Sequence, residues 1–153
     1  MEVSEIEQTT QDIDWFAVDA FGAVAHFASG GKLLPKSVTQ SKDDLEKIRV
    51  YFRSLPDERT PIEVDSLLRQ MVDLPDENAE KQYLSDFSSM SGRGLYSYDS
   101  PLAGDRSSYF RVTFPDSPLT IRDLPNEIAS IVAKTNYSGE FASTQSIRDH
   151  EII

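Results

Sequence analysis

The sequence contains no cysteine. That excludes disulfides, thiolate zinc sites and cysteine nucleophiles, and it fits a chain kept in the reducing cytoplasm. No run approaches the roughly 20 apolar residues that a membrane helix needs. The opening MEVSEIEQTTQDID has neither the basic nor the apolar region of a signal peptide. Basic charge is also scarce: 15 Lys and Arg stand against 26 Asp and Glu, for a net charge of −11. A field of that sign repels phosphate backbones and anionic lipid, so neither a nucleic acid nor a membrane surface is the expected partner. Basic proteins are attracted instead.

Motifs with chemistry are equally sparse. With two histidines, no cysteine and no H-E-x-x-H, no metal centre and no cofactor is expected. Asp12, Asp14 and Asp19 lack the ligand alternation of a calcium loop, and Asp14 and Asp19 lie roughly 16 Å apart along one strand. Ser29-Gly30-Gly31-Lys32 lacks the first glycine of a phosphate loop, and Leu33 follows the lysine; it reads as a strand exit needing positive φ. Ser91-Gly92-Arg93-Gly94 reads as the end of a helix. There is no G-x-S-x-G elbow, although a Ser–His–Asp set assembles in space and leaves no local trace.

What is present has the size and pattern of one domain spanning 1–153, with residues 1–12 and 149–153 expected to fray. Asp14–Val18 and Ala23–Ser29 are rich in aromatic and branched side chains and flank a turn with Asp19 at its start and Gly22 near its end. They predict a β-hairpin covered on both faces, with His26 half-buried in its second strand. Ser41 caps a helix whose Leu45, Ile48, Phe52 and Leu55 share one face, and Pro56 stops it. Pro61 opens a second helical run carrying Ile62, Val64, Leu67, Leu68 and Met71. A third starts near Asp76 or Glu77 and presents Ala79, Tyr83, Leu84, Phe87 and Met90. Leu95–Tyr98 and Tyr109–Phe114 predict strands, the latter with Phe110, Val112 and Phe114 inward and Arg111 and Thr113 outward. Leu119–Ile121 predicts a short strand, Asp123–Val132 a short helix and Phe141–Ile147 an edge strand. The class is α+β: an N-terminal hairpin in a mainly antiparallel sheet, packed against a block of about three helices.

The segment Asp14-Trp15-Phe16-Ala17-Val18-Asp19, Gly22, Val24-Ala25-His26-Phe27-Ala28-Ser29-Gly30-Gly31, Leu34-Pro35 resembles the opening of small uncharacterised bacterial proteins. Some of these look like immunity proteins encoded beside polymorphic toxins. The resemblance covers about the first fifth of the chain and implies no catalytic residues. It implies a bacterial cytoplasmic protein that neutralises a toxin by covering its active surface.

Two functions follow as expectations. The first is a non-catalytic protein-binding module, an immunity-type inhibitor of a basic toxin. Its contacts come from the acidic stretch Glu63, Asp65, Asp73, Asp76, Glu77 and Glu80, with Tyr96 and Tyr98 as anchors. Tyr109 and Tyr137 extend the possible tyrosine surface. The second is a small-molecule-binding or hydrolytic protein whose site gathers His26, Lys32, Arg93 and nearby carboxylates.

Overall fold

A computed structural model describes all 153 residues. The aromatic runs near the N-terminus pair as strands β1 (Asp14–Val18) and β2 (Val24–Ala28), with Asp14 opposite Ala28 and Val18 opposite Val24. Asp19 holds the turn: its Oδ1 accepts from the backbone N–H of Phe21 and of Ala23, each at 2.9 Å. Gly22 takes φ +87°, a conformation that a side chain resists.

A single sheet grows from this hairpin in the order β1-β2-β4-β5-β3. Here β3 is Ile62–Val64, β4 is Tyr96–Asp99 and β5 is Ser108–Pro115. The last strand, β6 (Ser146–Arg148), shares the far side of β5 with β3. Only the β2–β4 pair is parallel. Parallel neighbours need a long crossover, and the chain between them supplies it, holding most of the helices.

The helices are α1 (Glu5–Thr10), α2 (Lys36–Thr39), α3 (Lys42–Ser54), α4 (Leu68–Met71), α5 (Glu77–Gly92) and α6 (Asn126–Val132). The two long ones are capped by side chains, α3 by the Ser41 expected from the sequence and α5 by Asp76. The Ser41 hydroxyl accepts from Asp44 N at 3.1 Å, and the Asp76 carboxylate from Ala79 N at 2.8 Å. Each buries the face its spacing predicts: Leu45, Ile48 and Phe52 in α3, Phe87 and Met90 in α5. These helices cover one face of the sheet, where Phe52 packs on Phe16 and Phe87 on His26. None is long and apolar enough to cross a membrane.

The opposite face carries an aromatic cluster. Trp15 stacks on Phe27 at 4.3 Å and Phe27 on Tyr98 at 5.1 Å, with Tyr109 edge-on to Trp15 and Phe27. Each of these fully buried rings contributes roughly 1.5–3 kcal/mol. The Trp15–Tyr109 contact, 5.5 Å between centroids, joins strands separated by two others. A flat sheet would hold those strands roughly 14 Å apart, so the sheet curls around this cluster.

Several sequence expectations change. Residues 1–12 are tied down: α1 has a reciprocal capping box between Ser4 and Glu7, Val3 is buried, and Glu7 also pairs with Lys42. That ion pair holds the Glu7 carboxyl down at about 2. Residues 149–153 form a 3-10 turn and a two-way backbone pairing of Ile153 with Asn136. The helix expected from Pro61 is instead β3 and the four-residue α4. Ile62–Val64 pairs with Thr113–Pro115, and Asp65 Oδ1 then accepts from Leu67 N to start the turn. Sheet pairing overrides the helical spacing there.

In β5, Arg111 and Thr113 are buried rather than outward. Ser97 and Tyr98 are consecutive but oppose Thr113 and Arg111, so Val112 is an extra, bulged residue. The bulge shifts the alternation by one and leaves Phe114 half-buried beneath the Arg111 guanidinium. Leu119–Ile121 makes one bridge, Ala23 to Thr120, before a 3-10 turn. Of the last predicted strand only β6 pairs, because Phe141–Ser143 is a 3-10 turn.

Candidate functional site

The acidic residues expected to meet a partner do not share one environment. Glu63, Asp73, Asp76 and Glu77 are exposed, and Glu80 is half-buried with its carboxylate 2.6 Å from Arg69. Asp65 is a correction. It is buried, accepts from Arg111 Nε at 2.8 Å and Gln145 Nε2 at 2.7 Å, and is spent on the interior. Tyr96 and Tyr98 are likewise core residues, not surface anchors: Tyr98 is sealed among Phe27 and Phe141 and donates its hydroxyl to Thr144 O at 2.6 Å. Tyr109 and Tyr137 are buried too. The parallel β2–β4 pairing inserts β4 into the middle of the sheet, which no local pattern announces.

Of these acids, Glu77 and Glu80 line an open trough of about 560 Å³ along α5, with Lys81, Leu84, Ser85 and Ser88. Their spacing of three and four places them on one helix face. Five of these six side chains are polar, so the trough suits a charged contact rather than an apolar anchor.

The structure does bring a hydroxyl, an imidazole and a carboxylate together. His26 Nδ1 meets Ser97 Oγ at 2.7 Å and His26 Nε2 meets Asp14 Oδ1 at 2.8 Å. The other Asp14 oxygen accepts from Arg53, which also reaches Asp86 at 3.2 Å. Burial alone would raise the Asp14 carboxyl, but the hydrogen bonds and charges of His26 and Arg53 outweigh it and hold the group well below the usual carboxylate range. His26 and Ser97 expose no surface, and none of the five main hollows is lined by either. A nucleophile needs an approach for its substrate; this chain of groups instead cross-links β1, β2, β4 and α3. Asp14, His26 and Asp86 also have the donor types of a metal site, with ligand atoms within 4.8 Å of one another. The Arg53 guanidinium bridges the two carboxylates and acts as their cation.

Part of this chain was countable from the sequence. The hairpin register puts Asp14 and His26 two positions apart on one face. Ser97, 71 residues beyond His26, joins them only through the parallel pairing.

The remaining expected site residues are scattered. Arg93 is buried at the end of α5 and donates from Nε to Leu55 O at 3.0 Å and from Nη2 to Arg53 O at 3.2 Å, closing the C-terminal end of α3. Lys32 donates to Ser108 O at 2.9 Å and to Asp149 at 2.8 Å, with its ammonium 3.9 Å from the centre of the Tyr109 ring. Burial pushes the Lys32 ammonium down, against the opposing pull of Asp149.

Beside Lys32, a second hollow of about 360 Å³ lies between Leu33–Pro35 and the C-terminal residues Asp149, His150 and Ile152, with Trp15 and Tyr109 in its wall. The Trp15 indole N–H and the Tyr109 hydroxyl are sealed from that hollow and, although close to each other, form no hydrogen bond of ordinary geometry. The two side chains meet edge-on, and the nearby indole N–H only partly offsets the rise that burial imposes on the phenol group.

Comparison with protein-family models, curated proteins and solved structures finds no match.

Proposed function

We propose that this chain is a non-catalytic protein-binding module that engages a basic partner through the acidic side of α5. An immunity-type inhibitor of a positively charged toxin is the specific form of that reading. The observation that carries it is the open trough holding Glu77 and Glu80 beside the exposed Asp73 and Asp76, with Lys81 as its single basic lining residue. The net charge of −11 supports steering of a cationic surface toward it. The N-terminal resemblance to immunity-type proteins points the same way.

The test is co-expression with the product of the neighbouring gene, followed by association kinetics. The expected complex forms at least about tenfold more slowly at high than at low salt, as steered association does. Replacing Glu77 and Glu80 together by lysine is expected to slow it further while leaving the fold intact. A complex whose association rate ignores both salt and charge reversal would discard this reading.

A further inference from the structure

We propose that the outer edge of β3 receives an extended, basic segment of the partner, which joins the sheet as an added antiparallel strand. Two bonds fix the phase of the β3–β5 ladder: Asp65 N–H donates to Val112 O and Asp116 N–H to Pro61 O, each at 2.9 Å. Positions 61, 63 and 65 therefore bond toward β5. The N–H and C=O groups of Ile62 and Val64 point the other way, where no strand lies. None of these four groups is bonded within the chain.

The other outer strands meet partners of their own. Val18 of β1 exchanges bonds with Thr135 and Tyr137, and the Arg148 N–H of β6 donates to Glu151. Along β3, by contrast, Pro61, Glu63 and Val64 are all exposed. Such an edge is a template for one more strand.

Charge selects the occupant. Antiparallel pairing of two copies, centred on this three-residue strand, would set Glu63 against Glu63. The charge of −11 on each copy adds to that repulsion. A lysine or arginine opposite Glu63 meets an opposite charge instead, and α5, which packs against β3, carries the acidic trough. The residue opposite Glu63 makes no ladder bonds of its own. Its two neighbours stand opposite Ile62 and Val64 and bond to them. They lie on the face of Thr113, whose hydroxyl donates to Phe87 O of α5. Apolar side chains there cover Val64, which is 42% exposed. The segment is therefore basic and apolar by turns. It rests on the reading of a basic partner and names how that partner is held.

The probe is a capped pentapeptide, lysine-valine-lysine-valine-lysine, followed in ¹H–¹⁵N spectra of the intact chain. Saturable downfield shifts are expected at the Ile62 and Val64 amides, with Kd below about 10 mM. N-methylation of both valine amides removes the donors aimed at β3 and should weaken binding at least about fivefold. N-methylation of the central lysine amide, aimed away, should change it less than about twofold. Glu63→Lys, which leaves the backbone intact, should weaken it at least about threefold. No saturable shift at Ile62 or Val64, equal loss from the two methylations, or equal binding of the glutamate-for-lysine peptide would overturn the added strand. Charge reversal at Glu77 and Glu80 separates the two readings. If it slows association with the neighbouring gene product while the peptide ignores valine methylation, the basic partner stands and the added strand falls. If valine methylation matters and charge reversal does not, the strand stands and α5 leaves the interface.

Discussion

The two faces of the β1–β2 hairpin treat buried polar atoms in opposite ways. On the helix-covered face, Ser97, His26, Asp14 and Arg53 form a chain in which both ring nitrogens and both carboxylate oxygens are engaged. On the aromatic face, one residue along from Asp14, the sealed Trp15 N–H and Tyr109 hydroxyl have only each other nearby, edge-on and without an ordinary hydrogen bond. A buried polar group without a partner costs about 1–3 kcal/mol. The helix-covered face is therefore held by a completed polar network, and the aromatic face by ring packing. Two fully hydrogen-bonded carboxyl groups beside Ala28, both on the helix-covered face, differ instead in their charge partners. Asp14 and Asp99 flank that residue on neighbouring strands. Asp14 is held low by His26 and Arg53, whereas burial raises Asp99, which the hydrogen bonds from Tyr83 and Ser100 only partly oppose.

The contrast can be broken by removing partners. The largest effect is expected at Asp65, because Asp65→Ala leaves the buried Arg111 guanidinium without its counter-charge. A loss of about 3–5 kcal/mol in urea unfolding is expected. His26→Ala comes next: it opens a cavity and leaves Ser97 and Asp14 unpaired, for about 3 kcal/mol.

Acid should erode the same network. Asp14 is depressed in the folded state, so it binds a proton more readily when unfolded. Its stabilisation is complete above the unfolded carboxyl value near 4 and is lost as pH falls toward the lower folded value. Denaturation midpoints between about pH 6 and pH 3 should reveal a loss on the order of 1 kcal/mol from this group, absent in Asp14→Asn.

The sharpest comparison has the smallest energies. Tyr98→Phe removes a hydroxyl that donates to Thr144 O and is expected to cost about 1–1.5 kcal/mol, because it leaves the carbonyl unsatisfied. Tyr109→Phe removes one with no partner and should change stability by less than about 0.5 kcal/mol. Equal losses would erase the distinction between the faces.

Legibility followed the range of the interactions. The hairpin, α3 and α5 were readable because turn residues, caps and spacing act between near neighbours: Asp19 with Ala23, Ser41 with Asp44, Asp76 with Ala79. The stretch 61–71 misled because its apolar spacing suited a helix, while β5 offered Ile62–Val64 an edge. Thr113 misled because one bulged residue, invisible to a two-residue alternation, turned it toward α5; Arg111 keeps the side its alternation predicts, but Asp65 and the 141–142 backbone cover that side too. Within the acidic stretch, Glu63 and Asp65 differ only by position, yet one faces water and the other a buried guanidinium.

The sequence by itself determined the α+β class, the opening hairpin, the two long helices and the strongly negative charge, since each depends on composition or on residues a few positions apart. Only the tertiary structure decided which carboxylates reach solvent, that His26 meets Ser97, and that residues near 15, 34, 109 and 150 enclose one hollow. The physical reason is that strand order and register are chosen by the packing of the whole sheet, and a local pattern holds no record of a partner many residues away.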